Sequence, residues 1–189
     1  MIDKPIDWTS FDVVRKIRNA IKIKKVGHAG TLDPLATGLL IVCTGKFTKK
    51  INEFMAQEKE YTGMITLGAV TPTYDLESEP EQKFEVSHIT PEQIREATKQ
   101  FTGDIQQYPP AHSAVKIDGE RLYEKARRGE EVELRVRNVT ISEFEITRIE
   151  LPEVDFRVVC SKGTYIRSLA NDFGKALNNG AYLSRLRRT

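Results

Sequence analysis

The sequence predicts an α+β fold with a largely antiparallel sheet, and three observations carry that prediction. Residues 59–71 alternate along a strand, with Tyr61, Ile65 and Leu67 on one side. Two β-rich runs, 139–150 and 154–161, flank Leu151-Pro152-Glu153 and read as a hairpin. Helical spacing of apolar residues appears in separated segments, at 10–21, 90–101 and 165–177. Hairpins mixed with separated helices mark an α+β architecture.

Taken in order, the first helix spans 10–21, with Ser10 able to cap it and a stripe of Val13, Val14, Ile17 and Ile21. Residues 27–38, GHAGTLDPLATG, are too polar and too rich in Gly and Pro for helix or strand, and read as a constrained loop. The apolar run 39–45 is a short strand buried on both faces. Phe47, Ile51, Phe54 and Met55 fall on one helical face. Residues 71–90 are polar and acidic, a solvated excursion. The helix over 90–101 starts with Thr90 as cap, Pro91 at its first position and Gln93 completing a capping box. The long connection 108–137 holds Asp118-Gly119 as a turn and a short basic helix over 120–128, stopped by Gly129. After the hairpin, the helix over 165–177 follows Gly163. There is no internal repeat and no low-complexity tract.

A chain of 189 residues is long enough for one domain with a real core and short for two, so residues 1–189 are expected to form a single domain. Apolar residues at 39% and charged residues at 30% suit a soluble globular protein. No apolar run approaches the roughly 18 residues that a membrane helix needs. The start, MIDKPIDWTS, has neither the basic end nor the apolar run of a secretory signal. Cys43 and Cys160 both lie in apolar stretches without metal-like spacing, which fits reduced core residues of a cytoplasmic protein. The net charge of +2 hides an uneven distribution: +6 over 1–50, −7 over 51–107 and +3 over 108–189. Two basic ends around an acidic middle suggest a face aimed at an anion, although a solvated surface gives the same count.

Several chemistries are excluded. A phosphate loop needs a Gly five residues before Gly45 and a hydroxyl after Lys46, and the chain has Leu40 and Phe47 there. His28, His88 and His112 are scattered and no cysteine pair supports them, so no metal site is expected. The Gly-x-Ser-x-Gly elbow of a serine hydrolase is absent. The sequence carries no cofactor motif.

Asp33 remains. It stands before Pro34, where an aspartate commonly bonds its own backbone in a turn. The other reading is a carboxylate nucleophile or base, held in a glycine-rich loop that lets a ligand come close. Arg167, where a strand gives way to a helix, is a natural bidentate partner for such a carboxylate, or else a surface residue of a first helical turn. Tyr61 alternates with core residues, which packing alone also explains.

These segments resemble the TruB type of tRNA pseudouridine synthase. Residues 27–38 are similar to its active-site motif and 3–10, DKPIDWTS, to its N-terminal Lys-Pro and Thr-Ser motif. Residues 59–75 resemble its second strand motif and 108–127 its RNA-gripping insertion. Residues 160–174, CSKGTYIRSLANDFG, and 183–189, LSRLRRT, resemble its last catalytic segments. Each motif alone is weak; in this order they span nearly the whole chain.

The resemblance implies a pseudouridine synthase fold with an inserted RNA-gripping loop at about 108–137, and isomerisation of uridine 55 in the tRNA T-loop. It implies no cofactor, no metal, tRNA as partner, no membrane, no required protein partner and a monomer. Asp33 matches the catalytic aspartate, Tyr61 the aromatic stacked on the target base, Arg167 the arginine paired with the aspartate, and Tyr165 a neighbouring active-site tyrosine. His28 matches a histidine that holds the T-loop with its target nucleotide flipped out. Leu186 matches an apolar wall of the base pocket, and Lys4 a phosphate contact. Lys116, Arg121, Lys125, Arg127 and Arg128 lie in the inserted loop, where Glu120 and Glu124 alternate with the cations as they would on a solvated helix. The chain departs from the family at Asp7, where Gly is usual. Family members are expected to continue past LRRT into a small PUA-like RNA-binding domain, absent from these 189 residues. Two other readings are a non-catalytic RNA-binding or RNA-folding module on the same scaffold, and the related guide-RNA-dependent synthases, which are longer.

Overall fold

A computed structural model describes residues 1–110, 116–117, 120–121 and 135–189, in which a mixed sheet is flanked by helices. The sheet runs β1-β3-β12-β4-β11-β10-β7, with β2 on the far half of β3. Its strands are β1 (Ile2–Lys4), β2 (Val26–Ala29), β3 (Ala36–Thr44), β4 (Lys59–Leu67), β7 (Gly103–Gln107), β10 (Arg137–Glu150), β11 (Glu153–Cys160) and β12 (Ala181–Arg188). Every pairing is antiparallel except β12 with β3. Short pairs β5 (Ala69–Val70) with β6 (Gln82–Lys83), and β8 (Lys116–Ile117) with β9 (Glu120–Arg121), lie off the main sheet. The expected α+β class and the 139–161 hairpin are observed.

Local chemistry explains most element ends. Helix α1 (Ser10–Ile21) is capped by Thr9 rather than Ser10: Thr9 accepts from the Asp12 amide, and Asp12 accepts from the Thr9 amide. Helix α3 (Pro91–Ala97) has the expected box, Thr90 with Gln93, and Pro91 at its start. The face holding Phe47, Ile51, Phe54 and Met55 is split, a 3-10 turn over Gly45–Lys50 leading into α2 (Ile51–Ala56). Helix α4 (Ile166–Ala176) starts after Tyr165. The basic helix expected over 120–128 begins instead with the strand Glu120–Arg121, and its remainder lies outside the described residues.

The core lies between one face of the sheet and α3 and α4. Phe144 and Phe173 meet at 5.6 Å, with Phe156 and Phe101 edge-on or tilted against them. Cys43 and Cys160 are both free and buried, and burial pushes the Cys160 thiol up to about 11. The opposite face is solvated and laced with ion pairs: Arg148 and Arg185 on Asp155, Arg157 on Glu60 and Glu143, and Arg187 on Asp3. Much of the basic charge in the C-terminal segment is thereby engaged within the protein. Among the described residues no helix is long and apolar enough to cross a membrane.

Replacing Phe173, fully buried in the aromatic cluster, by Ala is expected to cost about 3–5 kcal/mol, read as a lower urea midpoint at constant slope.

Candidate active site

The loop that carries Asp33 runs from β2 to β3 and is held at successive residues. The Ser10 hydroxyl accepts from the Leu32 amide at 2.9 Å and donates to the Leu32 carbonyl at 3.2 Å. The Pro34 carbonyl accepts from the Asp7 amide at 2.9 Å and from Lys4 Nζ at 3.2 Å. The Asp33 carbonyl accepts from the Ala36 amide at 3.0 Å, turning the chain into β3. At Gly38 φ is +99°, and a Cβ would sit 2.1 Å from the Arg188 carbonyl, so this glycine admits β12 alongside β3. The loop is stiff because buried groups on α1, β1 and β12 need its carbonyls and amides.

Lys4 is one of those groups. Its ammonium is fully buried and also donates to the carbonyls of Pro5 at 2.9 Å and Trp8 at 2.5 Å. Burial lowers its pKa, while Asp33 and Asp7 oppose that shift. The structure thus places Lys4 beneath the loop as a brace, whereas a phosphate contact would need it at the surface.

Arg167 meets Asp33 from the first turn of α4. Its Nε lies 2.9 Å from Asp33 Oδ2, and its Nη2 donates to Oδ1 at 3.3 Å. The Arg167 side chain is 6% exposed and that of Asp33 40%, so the carboxylate is gripped from below and open above. Of the two readings of Arg167, the structure shows the buried partner. Its Nη1 donates to the Thr73 carbonyl at 3.3 Å, and Asp75 Oδ2 stands 3.7 Å from its Nε.

Asp75 was not singled out in the sequence. It falls in the stretch expected to be a solvated excursion, yet Thr71, Thr73 and Asp75 are buried, and Asp75 bridges to Leu183. Tyr74 adopts φ +63°, uncommon for a bulky residue, and the strain sits where Asp75 is turned towards Arg167. A buried aspartate in a polar run leaves no periodicity to read; its signals are the Thr-x-Thr-x-Asp spacing and its place at the end of the 59–75 segment.

Asp33 opens into a cleft of about 780 Å³. Tyr61, Tyr165 and Leu186 line it with Arg167, and Lys59, Arg137, Lys162 and Arg188 add positive charge. Tyr61 comes from β4, and burial raises its phenol pKa. Both backbone groups of Tyr165 bond the buried Gln107 side chain, at 3.0 and 3.1 Å, and Arg137 lies 5.6 Å over its ring. Lys59 donates to the Met55 and Gln57 carbonyls; burial lowers its pKa, as do Arg188 and Lys162.

His28 lies on β2 outside the cleft lining, with Nδ1 buried and without a hydrogen-bond partner. Burial pushes its imidazole below 6.5, Arg188 adds to that, and a hydrogen bond with the Gly30 backbone opposes it. Lys116 and Arg121 belong to the β8–β9 pair, while Lys125, Arg127 and Arg128 lie outside the described residues. Among the described residues no group of three or more His, Cys, Asp or Glu side chains is placed to hold a metal ion.

A carboxylate gripped by one arginine, at the floor of a cleft walled by tyrosines and rimmed by cations, suits an anionic substrate bearing a flat ring. Comparison with known proteins gives the lineage. Residues 18–166 match the family model described as TruB family pseudouridylate synthase, N-terminal domain. A tRNA pseudouridine synthase B from Flavobacterium johnsoniae is 61% identical, over all of this chain and 86% of that protein. One from Phocaeicola vulgatus is 54% identical over 99% of this chain and 82% of that protein. Among solved structures, a Cbf5–Nop10–Gar1 complex contains a chain 34% identical with a TM-score of 0.76, over 99% of this chain. An H/ACA ribonucleoprotein bound to a substrate RNA containing 2'-deoxyuridine gives 30% and 0.72, again over 99% of this chain. The present chain spans about 46% and 45% of those two solved chains. The chain belongs to the TruB family of pseudouridylate synthases.

Two outcomes follow from the braces. Lys4→Met takes the ammonium donor from the Pro5, Trp8 and Pro34 carbonyls, of which Pro34 keeps the Asp7 amide, and is expected to cost about 1–3 kcal/mol in urea unfolding. His28 is harder to protonate folded than unfolded, so the unfolded chain binds more protons in acid and stability falls as pH drops below about 6.5. His28→Asn should flatten the fall in melting temperature between about pH 7 and 5.5, a window above ordinary carboxylate titration.

Proposed function

We propose that this chain isomerises the uridine at position 55 of the tRNA T-loop to pseudouridine, with Asp33 as the acting carboxylate and the target nucleotide flipped out of its stack. The broader activity, that of a tRNA pseudouridine synthase, follows from family membership and the relatives' shared name. The observation that carries the finer reading is the Arg167–Asp33 pair, two-pronged and open to the cleft where Tyr61 waits.

In the reaction the N1–C1′ bond breaks, the base turns, C5 joins C1′, the C5 proton leaves and N1 takes one up. The proton lost at C5 is balanced by the one gained at N1, and no other atom enters from outside. Asp33 begins this by attacking C1′, by adding to the base, or by removing a ribose proton to give a glycal. All three need a carboxylate within bonding reach of the nucleotide, and a stacked nucleotide is out of reach, so it must be extruded. Stacking on Tyr61 offsets part of that cost, by about 1–3 kcal/mol per base. Lys59, Arg137 and Lys162 at the cleft supply salt-dependent phosphate contacts. Arg167 keeps the carboxylate in one orientation while the sugar approaches.

Asp33→Asn is expected to abolish tritium release from C5-labelled tRNA while leaving the Kd for tRNA within about threefold. Release at the wild-type rate would remove Asp33 from the chemistry. Pseudouridine mapping on the T-loop tests the position, and binding without any pseudouridine would favour the non-catalytic module.

A further inference from the structure

We propose that Arg188 is a positioning residue of this reaction, tying the phenol of Tyr61 to the loop that carries Asp33. The inference rests on reading the cleft as a pseudouridine synthase site.

Arg188 ends β12 directly across from Tyr61 on β4 and is 4% exposed. Arg188 and Tyr61 both line the cleft, and the guanidinium lies close enough to the phenol to work against the rise in its pKa that burial causes. Its Nη2 donates to the Gly30 carbonyl at 3.1 Å and its Nε to the Leu39 carbonyl at 2.7 Å. One planar group thus joins three segments: the strand of the stacking ring, the loop three residues before Asp33, and the strand that follows that loop. Because its donors are rigidly arranged, it sets the three spacings together. Arg167 orients the carboxylate; Arg188 sets how far the ring stands from the loop.

An irregularity in β12 delivers this side chain. Leu183 pairs with Ile65 and Arg185 with Met64, so Ser184 is an extra residue. The Ser184 hydroxyl accepts from Thr66 Oγ1 at 2.8 Å and donates to the Met64 carbonyl at 3.1 Å, which satisfies the bulge. Gly63 makes room: a Cβ there would lie 2.3 Å from the Arg185 carbonyl. Strict alternation without the extra residue would set Arg187 opposite Tyr61. With it, Leu186 faces the cleft, Arg188 faces Tyr61, and Arg187 turns outward to Asp3.

A ring held at the wrong spacing can still stack on a base while the sugar misses Asp33. The expected loss is therefore in rate and not in affinity. The test measures single-turnover pseudouridine formation and tRNA Kd for Arg188→Met and Arg188→Lys, each alone and combined with Tyr61→Phe. Either substitution should lower the rate at saturating tRNA by about 30–100-fold with Kd within about threefold. In the Tyr61→Phe background the same change should cost less than about threefold more, because the phenol it acts through is gone. Equal losses in both backgrounds, a loss confined to Kd, or a full-rate Arg188→Lys enzyme would overturn the proposal. If Arg188→Met does not fold, Arg188→Lys, which keeps the stem and charge, carries the cycle. A readout free of activity is the fluorine NMR signal of Tyr61 in protein labelled with 3-fluorotyrosine, assigned by its loss in Tyr61→Phe. It should move in Arg188→Lys, and an unmoved signal counts against the contact. A wild-type enzyme that forms no pseudouridine overturns the reading of the site and this inference together; an active wild type with unaffected Arg188 variants overturns the inference alone.

Discussion

A guanidinium taken out of water is tolerated only where oxygen acceptors surround it. Arg167 meets that condition with groups from separate parts of the chain: the Asp33 carboxylate, the Thr73 carbonyl and the nearby Asp75 carboxylate. The first turn of α4, the loop before β3 and the stretch after β5 must therefore arrive together. The strained Tyr74 backbone and the bridge from Asp75 to Leu183 are local consequences of that demand. The Asp33 carboxylate is left more open than that of Asp75, and the cleft lies above it.

Around this pair the backbone is pinned by buried side chains that each serve two segments. Lys4 joins the end of β1 to the far side of the Asp33 loop, and Ser10 joins α1 to Leu32. Gln107 holds both backbone groups of Tyr165 and so sets where α4 begins. Arg188 joins β4, the loop and β3. The common design is a polar side chain on a rigid element that satisfies buried backbone groups of a less regular one, which costs less than leaving those groups unpaired.

Charge is sorted by the same sheet. Its solvated face pairs cations with carboxylates, while the cleft gathers Lys59, Arg137, Lys162, Arg167 and Arg188 around few acidic groups. A net charge of +2 therefore conceals a local field suited to a polyanion, focused where the ring-bearing walls are.

The elements whose signals are local are legible in the sequence. The alternation of β4, the β10–β11 hairpin and the Thr90 capping box depend on neighbours a few residues apart, so they could be read. Thr9 took the cap expected of Ser10 because Asp12 completes its box, and Ser10 was free to hold Leu32. Residue chemistry by itself left Asp33 between a turn residue and an acting carboxylate, and Arg167 between surface and partner; only their resemblance to a family's motifs put them side by side. The fold decided the rest. Lys4 became a brace because its ammonium found three carbonyls, and Asp75 became part of the site because residues 71–75 fold under α4. Arg188 faces Tyr61 because one extra residue in β12 shifts which side chains point inward, and no local pattern announces a bulge. The sequence by itself determined which residues favour helix, strand and turn, since those preferences act over a few positions. Which distant groups share one buried space was settled only when burial required every polar group there to find a partner.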